Sequence, residues 1–153
     1  MKSSIAQRTL GIIFCSMLLG LAPAAQAREC TASSVAGIYG YTSSGTIVTP
    51  AVGPFVAVGR VTFTSTGILS GTQTTSIAGN VFVDEFVQGT FTVKPDCTGT
   101  LDVYIYHGST LVRTSQVDMV WDDHQKEARG IFLKAGTAIT IIGRKISGNE
   151  PAG

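Results

Sequence analysis

The sequence predicts an all-β fold: about eight antiparallel strands in an up-and-down barrel, closed or nearly so, with a β-sandwich as the alternative. Three observations lead there. Thr- and Val-rich runs follow one another from Gly37 to Ile146. Glycine turns punctuate them at Ser65-Thr66-Gly67, Ala78-Gly79-Asn80, Cys97-Thr98-Gly99, His107-Gly108-Ser109 and Ala135-Gly136-Thr137. No stretch has convincing helical periodicity, so no helix is expected to cover a sheet face.

Taken in order, the chain opens on a basic, then apolar, then small-residue pattern. Lys2 and Arg8 precede the apolar run Leu10 to Leu21, and Ala25-Gln26-Ala27 has the small-x-small form of a cleavage site. These predict a Sec-type signal peptide over 1–27 and a secreted or periplasmic protein. The apolar run is shorter than the roughly 20 residues of a spanning helix, and no second one approaches that length, so no membrane span is expected in the mature chain. Cleavage after Ala27 would leave 126 residues, enough for one domain with one core. Nine basic then face ten acidic residues. With no basic stripe, no nucleic-acid partner is expected.

Cys15 would leave with the signal peptide, which leaves Cys30 and Cys97. An even pair in an oxidising compartment predicts a disulfide. It would close a loop of 67 residues, for which chain entropy contributes on the order of 4 kcal/mol.

Residues 28–36 read as a polar lead-in and 37–146 as a single barrel domain. Strands are expected at 37–43, 55–65, 68–78, 81–94, 100–107, 110–122, 127–134 and 137–146. Residues 44–54 read as irregular, because Pro50 and Pro54 oppose regular pairing. Residues 147–153 read as a flexible tail. Turns of about two to five residues make antiparallel neighbours the default. An eight-stranded barrel either fills with side chains or holds one small ligand.

Alternation then sorts faces. Phe55, Ala57, Gly59, Val61 and Phe63 share one face of their strand. Leu101, Val103, Ile105 and His107 share another. In 110–122, Leu111, Val117, Met119 and Trp121 fall with Arg113 and Ser115. The segment 81–87 breaks the pattern. Val81, Val83 and Val87 flank Glu85 on one face, and Phe82 and Phe86 flank Asp84 on the other. In a regular strand one acid points inward; a bulge would relax this. An inward carboxylate needs a partner or a raised pKa. Arg113, set among apolar neighbours, is the expected partner of Glu85. The pair reads either as a structural ion pair or as the polar anchor, or general acid/base, of a ligand cavity.

Other groupings carry less chemistry. Trp121-Asp122-Asp123-His124 could chelate only from a turn, so no metal is expected. There is no Gly-x-Ser-x-Gly nucleophile elbow, no glycine loop opens a helix onto a phosphate, and no cofactor is expected.

The order of motifs resembles a known group. Gly37-Ile38-Tyr39-Gly40-Tyr41 is followed by Val61-Thr62-Phe63-Thr64-Ser65-Thr66-Gly67 and Leu69-Ser70-Gly71-Thr72. Gly89-Thr90-Phe91-Thr92-Val93 then leads into Pro95-Asp96-Cys97-Thr98-Gly99-Thr100. Over roughly 37–146 this resembles small secreted bacterial proteins similar to allene oxide cyclase-like, calycin-type barrels. The resemblance implies an eight-stranded barrel with an apolar cavity. Cyclases of such barrels shape a reactive substrate with few polar groups, commonly a carboxylate, which makes Glu85 the catalytic candidate.

Three functions are therefore expected in competition. The first is an exported barrel binding a small apolar molecule through Phe63, Val83, Val103, Met119 and Trp121, with Glu85 and Arg113 as polar anchors. The second is a cyclase or isomerase using the same cavity with Glu85 as acid/base. The third is a non-catalytic structural or interaction protein with a solid core.

Overall fold

The computed structural model describes residues 29–49, 52–122 and 124–147. The expected signal peptide, Pro50 and Asp123 lie outside the described residues. A four-residue helix, α1 (Ala32–Val35), precedes eight strands. These are β1 (Gly37–Ile47), β2 (Gly53–Phe63), β3 (Ile68–Ile77), β4 (Asn80–Val93), β5 (Thr98–His107), β6 (Thr110–Asp122), β7 (Glu127–Phe132) and β8 (Thr137–Ser147). Each strand pairs antiparallel with the next, and β8 returns to β1, so the sheet is a closed up-and-down barrel. Every strand has a neighbour on each side, although Asn80–Glu85 of β4 pair only with β3 and Thr110–Ser115 of β6 only with β5.

The period-two pattern builds this barrel directly. Phe55, Ala57, Val61 and Phe63 of β2 are all buried, while Val56 and Val58 between them face out. Turn chemistry sets the hairpins. Between β3 and β4, Ala78 and Gly79 both take positive φ, 49° and 86°, the two-residue geometry whose twist matches that of the flanking strands.

Three elements depart from expectation. The lead-in contains α1: the Thr31 hydroxyl accepts from the Ser34 N–H, and the Thr31 N–H donates to the Ser34 hydroxyl. This reciprocal cap supports a turn too short to show periodicity. β1 runs on through 44–47, because those residues pair with β2 up to Gly53 and with β8 up to Thr137. Pro54 is accommodated as the second residue of β2, near its end. Ser147 ends β8 rather than starting a tail, and 148–153 lie outside the described residues.

The up-and-down path gives the barrel two different ends. At one, α1 lies over the interior, and the Tyr39 hydroxyl donates to the carbonyls of Val35 and Gln125. Beneath α1, Phe63 stacks edge-on against Tyr39 and Phe91, with ring centroids 5.2 and 4.9 Å away, and Trp121 closes against both phenylalanines. Lys145 caps this end, its ammonium group 5.6 Å from the Tyr39 ring centroid; burial lowers its pKa. The Cys30–Cys97 disulfide, Cα atoms 4.9 Å apart, ties the lead-in to the β4–β5 turn at the same end. Such a bond suits an oxidising compartment.

If loop closure is what the disulfide contributes, its removal should lower the unfolding free energy by about 4 kcal/mol. Urea unfolding of oxidised protein, and of the Cys30→Ser/Cys97→Ser double variant, measures this. Coincident midpoints would contradict it.

Candidate functional site

Above the aromatic plug the barrel is hollow. A cavity of about 360 Å³ lies between the plug and the opposite end, where exposed Thr49 and Lys134 line its mouth. Its walls are mostly apolar and include Phe55, Val61, Leu69, Val87, Ile105 and Ile139. Small inward residues make the room: Ser43, Ser115 and Gly143 line it where larger side chains would fill it. The hairpins around the mouth carry exposed Val48, Val52, Val81 and Leu133.

One polar cluster interrupts the apolar wall. Glu85 is fully buried, 0% exposed, and its carboxylate accepts from three side chains. Arg113 Nη2 donates to both carboxylate oxygens at 2.5 Å, the Thr75 hydroxyl to Oε2 at 2.7 Å, and Gln73 Nε2 to Oε2 at 3.0 Å. Gln73 Nε2 also donates to Thr75 Oγ1. A carboxylate only accepts, so the Gln73 amide nitrogen must face Glu85. Its oxygen then faces Tyr41, whose hydroxyl donates to it at 2.7 Å. The hydrogen bonds therefore run one way, from Tyr41 through Gln73 to Glu85.

Burial alone would raise the Glu85 pKa. The hydrogen bonds from Arg113, Thr75 and Gln73, with the Arg113 charge, outweigh it and hold the carboxyl below its ordinary 4.5. Tyr41 moves the other way: burial, then the negative charge of Glu85, push its pKa up, so it stays a neutral donor.

Backbone irregularity aims both charges. Opposite Gln73–Thr75, β4 carries an extra residue, and Asp84 takes a φ of 54°. This bulge turns Glu85 inward with Val87. On β6 the register shifts between Ile105 and Tyr106, so that Ile105 faces Arg113 while Tyr106 faces Leu111. Val112 is the extra residue.

These bulges correct the expected faces. Val83 does not enter the cavity; it is 53% exposed on the outer surface. Leu111 is likewise turned out, away from Val117, Met119 and Trp121. Phe82 pairs with inward-facing Thr75, and the Arg113 guanidinium carbon lies 5.9 Å from its ring centroid, whereas Phe86 stays outside. Of the other expected residues, Phe63, Val103, Arg113 and Met119 line the cavity. Trp121 faces in but sits in the plug, below the cavity. Sequence reasoning missed Tyr41, Ser43, Gln73 and Thr75. Period-two alternation in β1 and β3 could have placed them inward, but threonine and glutamine there carry no apolar contrast.

Away from the cavity, Asp122 pairs with Arg129, and Glu127 bridges to Arg144 at 2.7 Å. No group of three His, Cys, Asp or Glu side chains suited to a metal occurs among the described residues. No helix among them is long and apolar enough to cross a membrane.

Gly59 makes the relay possible. A Cβ there would come 2.7 Å from the Tyr41 hydroxyl and 2.6 Å from the Thr72 carbonyl oxygen. Gly59→Ala should displace Tyr41 and cost about 1–3 kcal/mol, read by thermal unfolding. An unchanged midpoint would show that the ring is not held there.

Glu85 also gives a signed pH dependence. Its folded pKa lies below the unfolded value, so its contribution to stability is complete above about pH 4.5 and is lost as pH falls through the folded pKa. Urea midpoints of wild type should drop on acidification through that window, and Glu85→Gln should lack that part of the drop. Identical acid profiles would refute it.

The chain matches no protein-family model and no curated protein, so its function is argued from the geometry of the barrel itself.

Proposed function

We propose that this chain is an exported, single-domain β-barrel that binds a small apolar molecule in its interior. The supporting observation is the cavity: about 360 Å³, walled by aliphatic and aromatic side chains, with one convergent polar cluster. That size and balance suit a small-molecule site. Export rests on the basic, apolar and small-residue pattern of the first 27 residues, and the disulfide is compatible with it.

The exposed valines and leucine around the mouth favour an apolar occupant, which would enter past surface like its own. Glu85 and Arg113 serve in this reading as the polar anchor. A solid-core structural protein has less support, because such a core would leave no room of this size.

A second reading keeps the resemblance to allene oxide cyclase-like barrels: a cyclase or isomerase that folds its substrate against these walls, with Glu85 as acid/base. The presence of a carboxylate beside an apolar cavity favours it. The ion pair disfavours it, since a general base works best with a pKa near the operating pH, and Glu85 is held low.

Native protein purified from its own source, extracted and analysed by mass spectrometry, should yield one or a few lipophilic molecules near one per chain. Empty protein that also fails to take up an uncharged lipophilic dye would exclude the binding reading. If turnover of any candidate substrate is found, Glu85→Gln should abolish it; retained turnover would remove Glu85 as the catalyst.

A further inference from the structure

We infer that the polar cluster in the cavity wall selects an uncharged hydrogen-bond acceptor, such as a ketone, ester or alcohol oxygen on an apolar body, and rejects a carboxylate. This rests on the proposed binding role and specifies its ligand.

The first step is charge. The cavity lining contains two cationic side chains, Arg113 and Lys134. Arg113 is matched by Glu85, whose two oxygens both accept from its Nη2 at 2.5 Å. The pair is neutral as a unit. An anion brought beside it would be desolvated with no uncompensated positive charge to meet, and would face the Glu85 carboxylate across one guanidinium. Lys134 offers no substitute inside. It is exposed at the mouth, where solvent screens an ion pair to little value.

The second step is hydrogen-bond polarity. The Tyr41 proton is committed to Gln73, the Gln73 amide protons to Thr75 and Glu85, and the Thr75 proton to Glu85. None of these groups has a donor left for a ligand. Arg113 does: its Nε and Nη1 make no hydrogen bond among the described residues, and its side chain lines the cavity while remaining 24% exposed. The cavity wall thus carries charge-bearing Arg113 N–H donors with no net charge behind them. An oxygen that accepts without carrying charge satisfies both conditions. A hydrocarbon leaves the donors unmet, which carries its own cost.

The pair also implies how the preference could be inverted. Glu85→Gln keeps the shape and an acceptor oxygen but removes the negative charge. Arg113 would then stand uncompensated beside the cavity, and a carboxylate ligand would become its counter-ion.

Four probes of one chain length separate the cases: decane, 2-decanone, 1-decanol and decanoate, each displacing an uncharged solvatochromic dye from the purified protein at about pH 7, where the acid is ionised. Wild type should bind the ketone about tenfold more tightly than decane, and decanoate at least about tenfold more weakly than the ketone. In Glu85→Gln the acid should gain on the ketone by about tenfold or more. The double variant Glu85→Gln/Arg113→Met, which carries no buried charge, should still bind decane while losing the advantage of the ketone. Its thermal unfolding reports that it is folded. If neither the dye nor any probe binds wild type, the binding reading fails and this inference with it. If dye and decane bind but decanoate matches the ketone in wild type, the inference alone is overturned.

Discussion

A single carboxylate without solvent contact, inside an otherwise apolar barrel, dictates much of the surrounding structure. Unpaired, the Glu85 charge would not remain ionised there. It is kept by donors from β3 and β6, and the amide that supplies one of them is oriented by Tyr41 from β1. Tyr41 in turn reaches across β2 only because Gly59 has no side chain. Four of the eight strands therefore supply groups to one hydrogen-bonded unit, and a fifth, β2, leaves the space for it. Removing Arg113 would leave the buried Glu85 charge uncompensated, which costs about 3–5 kcal/mol, whereas Arg113, 24% exposed, keeps some solvent when Glu85 is removed.

The two ends of the barrel divide the remaining work. Trp121, Phe63, Phe91 and Tyr39 fill the lower interior with edge-on rings, and α1, Lys145 and the disulfide cover them. Eight strands enclose an interior that side chains can just fill, or that can hold one small ligand. The lower half takes the first course. The upper half stays open, because Ser43, Ser115 and Gly143 stand where bulkier groups would close it. Two solutions thus coexist along one barrel axis, and the polar unit holds the wall of the hollow part in shape.

How far this was legible in the sequence differs by feature. Glycine turns and the run Phe55 to Phe63 carried the barrel, since turn chemistry and in/out alternation are local. The cysteine pair was legible by counting. The bulges were not. A bulge adds one residue to one strand, and nothing around Val112 marks it; at Asp84 the only hint is that aspartate tolerates a left-handed backbone better than most residues. That single residue moved Val83 outside and kept Glu85 inside. Alternation also assigns a face but not a height along the axis. Trp121 faces inward as read, yet its position in the plug depends on the stagger of all eight strands.

Stability by itself does not account for the Glu85–Arg113 pair. Replacing a buried ion pair by apolar residues of similar volume is often neutral or stabilising. The lower half of this barrel shows that such filling is available to this fold. The pair also requires two bulges to aim it, one of them with a non-glycine residue at positive φ. Strain of this kind persists only where the surrounding structure holds it, and it clusters at functional positions. What the pair provides that an apolar plug could not is a set of N–H donors at the inner wall of a hydrophobic cavity, with their charge cancelled. The fold alone does not call for a device built at that cost beside the cavity, whereas the proposed binding role would use it.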